Sequence, residues 1–82
     1  ANSGEISFHV EDKEGKIDEL VRRYADGQAD RLDGITIGYR DWWFNCRPGN
    51  TEPLLQLNVE AKTPELLQAK LAELEVALGK RE

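Results

Sequence analysis

Apolar and polar residues exchange places along this chain in two rhythms, and the rhythms mark out its elements. Over residues 5–10, Ile6, Phe8 and Val10 alternate with Glu5, Ser7 and His9, the period of two of a half-buried strand. Asp12 then offers an N-cap oxygen. Ile17, Leu20, Val21 and Tyr24 recur at helical spacing, and Gly27 is placed to end that helix. After the Asp33-Gly34 punctuation, Ile35, Ile37 and Tyr39 alternate with Gly34, Thr36 and Gly38 as a second strand. Arg40-Asp41 reads as a tight connection to a third strand over residues 42–47. Its faces are Trp42, Phe44 and Cys46 against Trp43, Asn45 and Arg47. Residues 48–53 form a loop. A fourth strand over residues 54–61 puts Leu55, Leu57, Val59 and Ala61 on one face. Thr63 and Pro64 open a last helix, Leu67, Leu71, Leu74 and Leu78 share one side of it, and Gly79 stops it.

The order β-α-β-β-β-α predicts an α+β fold: a four-stranded, mostly antiparallel sheet with two helices on one face. The other face then carries Ser7, His9, Thr36, Asn45, Gln56 and Asn58, and is open to solvent or to a partner. A chain of 82 residues allows one domain spanning residues 1–82.

Composition narrows the function. The net charge of −5 argues against a nucleic-acid-binding module, whose affinity rests on neutralising phosphates with Lys and Arg. No stretch approaches the roughly 20 apolar residues of a membrane span. The N-terminus lacks the basic and apolar runs of a signal peptide, so no membrane partner is expected. Cys46 is the one cysteine, so no internal disulfide can form, and a reducing, cytoplasmic setting is expected. The absence of an initiator Met fits a chain cut from something longer.

One stretch is richer in chemistry than ordinary surface: Arg47-Pro48-Gly49-Asn50-Thr51-Glu52-Pro53. Arg47 ends a strand, so a rigid sheet aims a guanidinium whose planar fork of donors suits phosphate oxygens. Gly49, Asn50 and Thr51 bring backbone N–H groups, and Asn50 and Thr51 add side-chain donors. Pro48 and Pro53 bracket the turn and limit its freedom. Turn chemistry alone also favours Pro, Gly, Asn and Thr between strands. Composition by itself therefore leaves both a plain connection and an anion cradle open.

The run Phe44-Asn45-Cys46-Arg47-Pro48-Gly49-Asn50-Thr51-Glu52-Pro53-Leu54-Leu55 closely resembles the C-terminal signature of the α-D-phosphohexomutases, Arg-Pro-Ser-Asn-Thr-Glu-Pro before an apolar strand. Ser3-Gly4-Glu5-Ile6, Asp30-Arg31-Leu32-Asp33-Gly34-Ile35, Trp43-Phe44-Asn45 and Leu57-Asn58-Val59-Glu60-Ala61 resemble flanking segments of the last domain of bacterial phosphomannomutases and phosphoglucomutases. The resemblance implies a fold like the TATA-box-binding protein. It implies that Arg47, Gly49, Asn50 and Thr51 bind the phosphate of a phosphosugar, mannose or glucose phosphate. Gly49 stands where the family usually has Ser, so that hydroxyl is missing and the backbone N–H is what remains. The family interconverts hexose 6-phosphate and hexose 1-phosphate through a bisphosphate, using a phosphoserine and Mg²⁺ held by aspartates. Neither Thr-x-x-Ser-Gly-x-His nor Asp-x-Asp-x-Asp-Arg occurs here. The resemblance thus assigns catalysis and metal to other domains of a parent enzyme, and predicts that this fragment alone is inactive, with no catalytic or metal-ligating residue and no cofactor of its own.

The remaining residues read more plainly. His9 is expected to be solvated on the polar face, and Cys46 to pack as a small hydrophobe. Trp42 and Trp43 must split between faces, with Trp43 shielding the sheet or bordering a sugar cleft. The Lys and Glu residues at 65–75 suit a solvated helix face, and Glu11, Asp12 and Glu14 suit the charge of a helix start. The rival reading is a stand-alone ligand- or RNA-binding module of ferredoxin-like order. Such a module displays several aromatics and a basic surface on its open face.

Overall fold

In the computed structural model, residues 1–49 and 52–79 are described. Five strands and two helices follow one another as β1 (Ile6–His9), α1 (Lys13–Arg23), β2 (Gln28–Asp30), β3 (Ile35–Gly38), β4 (Trp42–Pro48), β5 (Leu54–Ala61) and α2 (Pro64–Leu78). The strands form one sheet in the order β1-β5-β4-β3-β2, and every pairing is antiparallel. Four of these strands stand where the alternation predicts them.

The fifth corrects the four-stranded expectation. β2 has only three residues, Gln28, Ala29 and Asp30, and all three are exposed. It shows no alternation because neither of its faces is covered. Pairing with β3 (Gln28 with Gly38, Ala29 with Ile37, Asp30 with Thr36) is what makes it a strand. A second correction concerns Gly27. Helix α1 ends at Arg23, capped at Tyr24, whose N–H reaches Leu20 O at 3.0 Å. Gly27 is needed for close packing instead: a Cβ there would lie 2.6 Å from Ile37 Cγ2 and 2.8 Å from the Tyr39 ring.

The helix starts are built as the sequence predicts. Asp12 Oδ1 accepts from Gly15 N at 3.0 Å, and Thr63 Oγ1 accepts from Leu66 N at 3.1 Å, with Pro64 at the first helical position. Gly79 closes α2 at φ 95°, a conformation open to glycine.

Both helices lie on one side of the sheet. Phe8, Ile35, Ile37, Phe44, Cys46, Leu55, Leu57 and Val59 from the strands share one cluster with Leu20 of α1 and Leu67, Leu71, Leu74 and Leu78 of α2. Burying one such side chain stabilises the fold by about 1.5–3 kcal/mol before entropy is counted. Beside this cluster, Tyr24, Tyr39, Trp42 and Phe44 meet ring to ring, with Tyr39 stacked on Trp42 at 4.9 Å. Burial pushes the Tyr24 and Tyr39 hydroxyls upward from their ordinary pKa, and their hydrogen bonds to Glu73 and Asp26 add to the effect. No helix among the described residues is long and apolar enough to cross a membrane.

Candidate functional site

Successive residues of β4 point to opposite sides. Trp42, Phe44 and Cys46 face the helices, while Trp43, Asn45 and Arg47 face out. The strand register extends the outward row. Asp30 pairs with Thr36, Thr36 with Asn45 and Asn45 with Asn58, so polar residues cross four strands in line. In the next row Arg47 pairs with Gln56, and Gln56 with Ser7. Glu5, Thr36, Trp43, Asn45, Arg47, Gln56 and Asn58 line a shallow trough of about 470 Å³ over this face. The open face is thus polar, as the alternation predicts.

Arg47 sits where this face meets the loop after β4, with 45% of its side chain exposed. Two acids flank its guanidinium. Glu5 Oε2 accepts from Nη2 at 2.8 Å, and Asp33 Oδ2 lies 3.7 Å from Nη1. The Glu5 hydrogen bond, with its charge, holds the Arg47 pKa above even the usual guanidinium value. Local sequence places each acid. Asn2 Oδ1 accepts from Gly4 N at 2.7 Å, and Ser3 Oγ accepts from Val59 N at 2.9 Å, which pins the segment that delivers Glu5. Gly34, at φ 69°, lies so close to β4 that a Cβ would stand 2.5 Å from Cys46 O and 2.7 Å from Arg47 Cα. That approach is open only to glycine, and it sets Asp33 beside the guanidinium. Asn45 Nδ2 secures the same turn, donating to Asp33 O at 3.1 Å and to Thr36 Oγ1 at 2.9 Å.

Of the other predicted phosphate-binding residues, Asn50 and Thr51 lie outside the described residues. Gly49 is described, and its backbone is engaged. Its N–H donates to Leu54 O at 2.8 Å and continues the ladder between β4 and β5. The expectation that this N–H is left for an anion is therefore corrected: in this structure it is taken by the neighbouring strand. The chain is pinned further on, where Val10 N donates to Pro53 O at 2.8 Å.

Sequence reasoning missed Lys13. Its Nζ donates to Gly49 O at 3.3 Å and to Glu52 O at 3.0 Å, so one ammonium touches both described ends of the loop. The residues are 36 and 39 positions apart, and no local pattern links them. Glu5 and Asp33 were equally invisible as partners of Arg47, because β5 and the β2–β3 turn bring them there.

The remaining residues stand as read. Nε2 of His9 lies 3.0 Å from Glu11 Oε2 on the exposed side of β1. Cys46 is fully buried, and burial pushes its thiol up to about 12, which keeps it protonated and inert at neutral pH. Trp43 keeps 38% exposure over the trough, while Trp42 is buried. Among the described residues Trp43 is the exposed large aromatic, which is too few for the stacking platform of an RNA-binding sheet. No group of three or more His, Cys, Asp and Glu among the described residues is arranged to hold a metal.

The described residues set Arg47 just before the loop and Lys13 on the loop's two described ends. Known proteins agree with a part rather than a whole. Residues 5–77 match the family model described as phosphoglucomutase/phosphomannomutase, C-terminal domain. A phosphomannomutase of Methanocaldococcus jannaschii is 39% identical over 79 residues, 96% of this chain and 18% of the relative. A protein of Xanthomonas campestris described as phosphohexose mutases is 44% identical over 62 residues, 73% of this chain and 14% of its own length. The X-ray structure of a phosphoglucomutase/phosphomannomutase family protein from Burkholderia thailandensis superposes over the whole chain with a TM-score of 0.68 at 23% identity, covering 19% of that protein, and is like it in fold. The chain thus spans less than a fifth of the length of these relatives.

Proposed function

The chain belongs to the phosphoglucomutase/phosphomannomutase family, as its C-terminal domain, and on that premise we propose that it binds the phosphate group of a hexose phosphate for a larger mutase. Residues 1–82 act as one binding domain. The parent interconverts hexose 6-phosphate and hexose 1-phosphate through a bisphosphate, in the cytoplasm. Its other domains supply the phosphoryl donor, the magnesium and most contacts to the sugar. Arg47 is the principal phosphate ligand, with Asn50 and Thr51 beside it and Gly49 as the hinge on which the loop leaves β4.

The observation that carries this reading is the placement of Arg47. It projects from the end of a central strand, on the uncovered face, directly before the loop. Its side chain is exposed enough to meet a ligand, yet two acids hold it in one orientation. A guanidinium oriented in advance loses less rotamer entropy on binding. The neighbouring carboxylates oppose an anion, so the phosphate must displace or share the Glu5 contact. Affinity of the isolated domain is accordingly weak, on the order of millimolar.

The proposal gives the described residues of this chain no metal-binding role. The chain alone does not turn over substrate. The test is a titration of the labelled domain with mannose 6-phosphate and glucose 6-phosphate, followed by NMR. Resonances of residues 47–51 should shift while those of α2 stay still. Shifts centred on His9 and Gln56 would instead favour a ligand of the open face, and turnover of mannose 1-phosphate by the purified chain would overturn the division of labour.

A further inference from the structure

Lys13 occupies a place that helix electrostatics disfavours. It is the first residue of α1, directly after the Asp12 cap. The N-terminus of a helix carries a partial positive charge, so a cation there is destabilising where an acid would help. A gain elsewhere has to account for a lysine at this position, and the structure shows one. The side chain is half-buried and its ammonium donates to Gly49 O and Glu52 O, the carbonyls on either side of the loop's tip.

We propose that Lys13 is a positioning residue of the phosphate site, a brace that ties the two ends of the loop after β4 together and holds them in binding shape. The inference rests on the phosphate-binding reading and adds a residue to it. The two contacts supply the reason. A cation shared by Gly49 O and Glu52 O fixes the span between the loop's described ends. A loop whose ends are held in advance loses less freedom when an anion binds. The ammonium also sets a positive charge at the base of the loop. α1 and β4 are far apart in sequence, and this contact lets the start of the helix govern the loop.

The experiment uses the chain as it stands, with Lys13→Met and Lys13→Arg compared with the parent sequence. Met keeps the apolar stem and removes the donors; Arg keeps charge and donors. Mannose 6-phosphate is titrated into each and followed at the Arg47 and Gly49 amides, with melting temperature measured alongside. The Met variant should bind about tenfold more weakly, about 1.4 kcal/mol. Its melting temperature should be unchanged or higher, because a cation has left a helix N-terminus. The Arg variant should recover binding to within about threefold. A contact that served folding alone would lower the melting temperature and leave affinity untouched. Equal affinity in the parent and the Met variant would therefore overturn the proposal. Should the parent sequence itself fail to bind, the phosphate reading falls, and the brace is judged without ligand. Hydrogen exchange of the Gly49 amide about tenfold faster in the Met variant would then support it, and unchanged exchange would reject it.

Discussion

On the helix side of the sheet, Phe44 and Cys46 are fully buried among Leu20, Leu57 and Leu74; on the other side of the same strand, Asn45 and Arg47 face a shallow polar trough. The two faces share a backbone and differ in what they leave unsatisfied. The covered side is closed: its residues are apolar, and among the described residues no polar or charged one is buried there. The open side carries an ion pair, a row of amides and one buried oxygen, Asn58 Oδ1, without a hydrogen-bond partner among the described residues. The lesson is that stability and binding are divided by the pleat, residue by residue. A change at Trp42, Phe44 or Cys46 should act on folding, and a change at Asn45 or Arg47 on ligand.

The largest test of that division is Phe44→Ala. It should cost about 3–5 kcal/mol, enough to unfold much of a domain this small. Chemical denaturation monitored by tryptophan fluorescence measures it. A loss below 1 kcal/mol would mean that the helix-covered face is not the seat of stability.

The next test uses pH. The folded state raises the Cys46 pKa from 9.0 to about 12 by burial, so the contribution is fully present below pH 9 and is lost as pH rises toward 12. Over that window this group alone lowers stability by at most about 1.4 kcal/mol per pH unit. Tyr24 and Tyr39, also raised, add a loss of the same sign at higher pH. Cys46→Ala should start less stable at pH 7 because of the cavity, and then fall less steeply between pH 9 and 11. Parallel denaturation curves for the two proteins across that range would show that the thiol does not report burial.

On the open face, Arg47→Ala should weaken hexose-phosphate binding by about 1.5–3 kcal/mol, more than tenfold, since it removes a charge-assisted hydrogen bond. The same change should alter folding stability by less than about 1 kcal/mol, because its ion pair with Glu5 is exposed. If the melting temperature collapses with affinity intact, the faces are not divided as described. Raising salt should weaken binding further by screening.

The smallest effect belongs to Gly49→Ser, which restores the hydroxyl usual in the family. Gly49 is not among the glycines with positive φ, so a side chain meets no backbone strain. Its Cβ would lie 3.2 Å from Leu54 Cβ, tight enough that Leu54 must shift by a few tenths of an ångström. The expected outcome is tighter phosphate binding by about 1 kcal/mol, near fivefold, at nearly constant melting temperature. Unchanged affinity with a lower melting temperature would mean that the position packs on Leu54 rather than facing the ligand.

Much of this was legible along the chain because its causes are local. Alternation in residues 5–10, 35–39, 42–47 and 54–61, the Asp12 and Thr63 caps, and the leucines of α2 each declare their element within a few residues. β2 stayed hidden because an exposed edge strand buries no side chain and so carries no period; its pairing with β3 defines it. Gly27 misled because a glycine after an apolar stripe reads equally as a helix stop and as a close contact. Distinguishing them needs Ile37 and Tyr39, which arrive from another strand.

The site divides the same way. Sequence by itself determined that Arg47 ends an alternating strand on its polar side, immediately before a loop of Pro, Gly, Asn and Thr, since side-chain direction follows from a period of two. The tertiary structure alone decided that Glu5 and Asp33 hold that guanidinium, that Leu54 takes the Gly49 N–H, and that Lys13 ties the loop's ends. These are contacts between groups far apart in the chain. A charged side chain finds its partner only after burial of the apolar face has fixed the strand order, and no local pattern encodes that order.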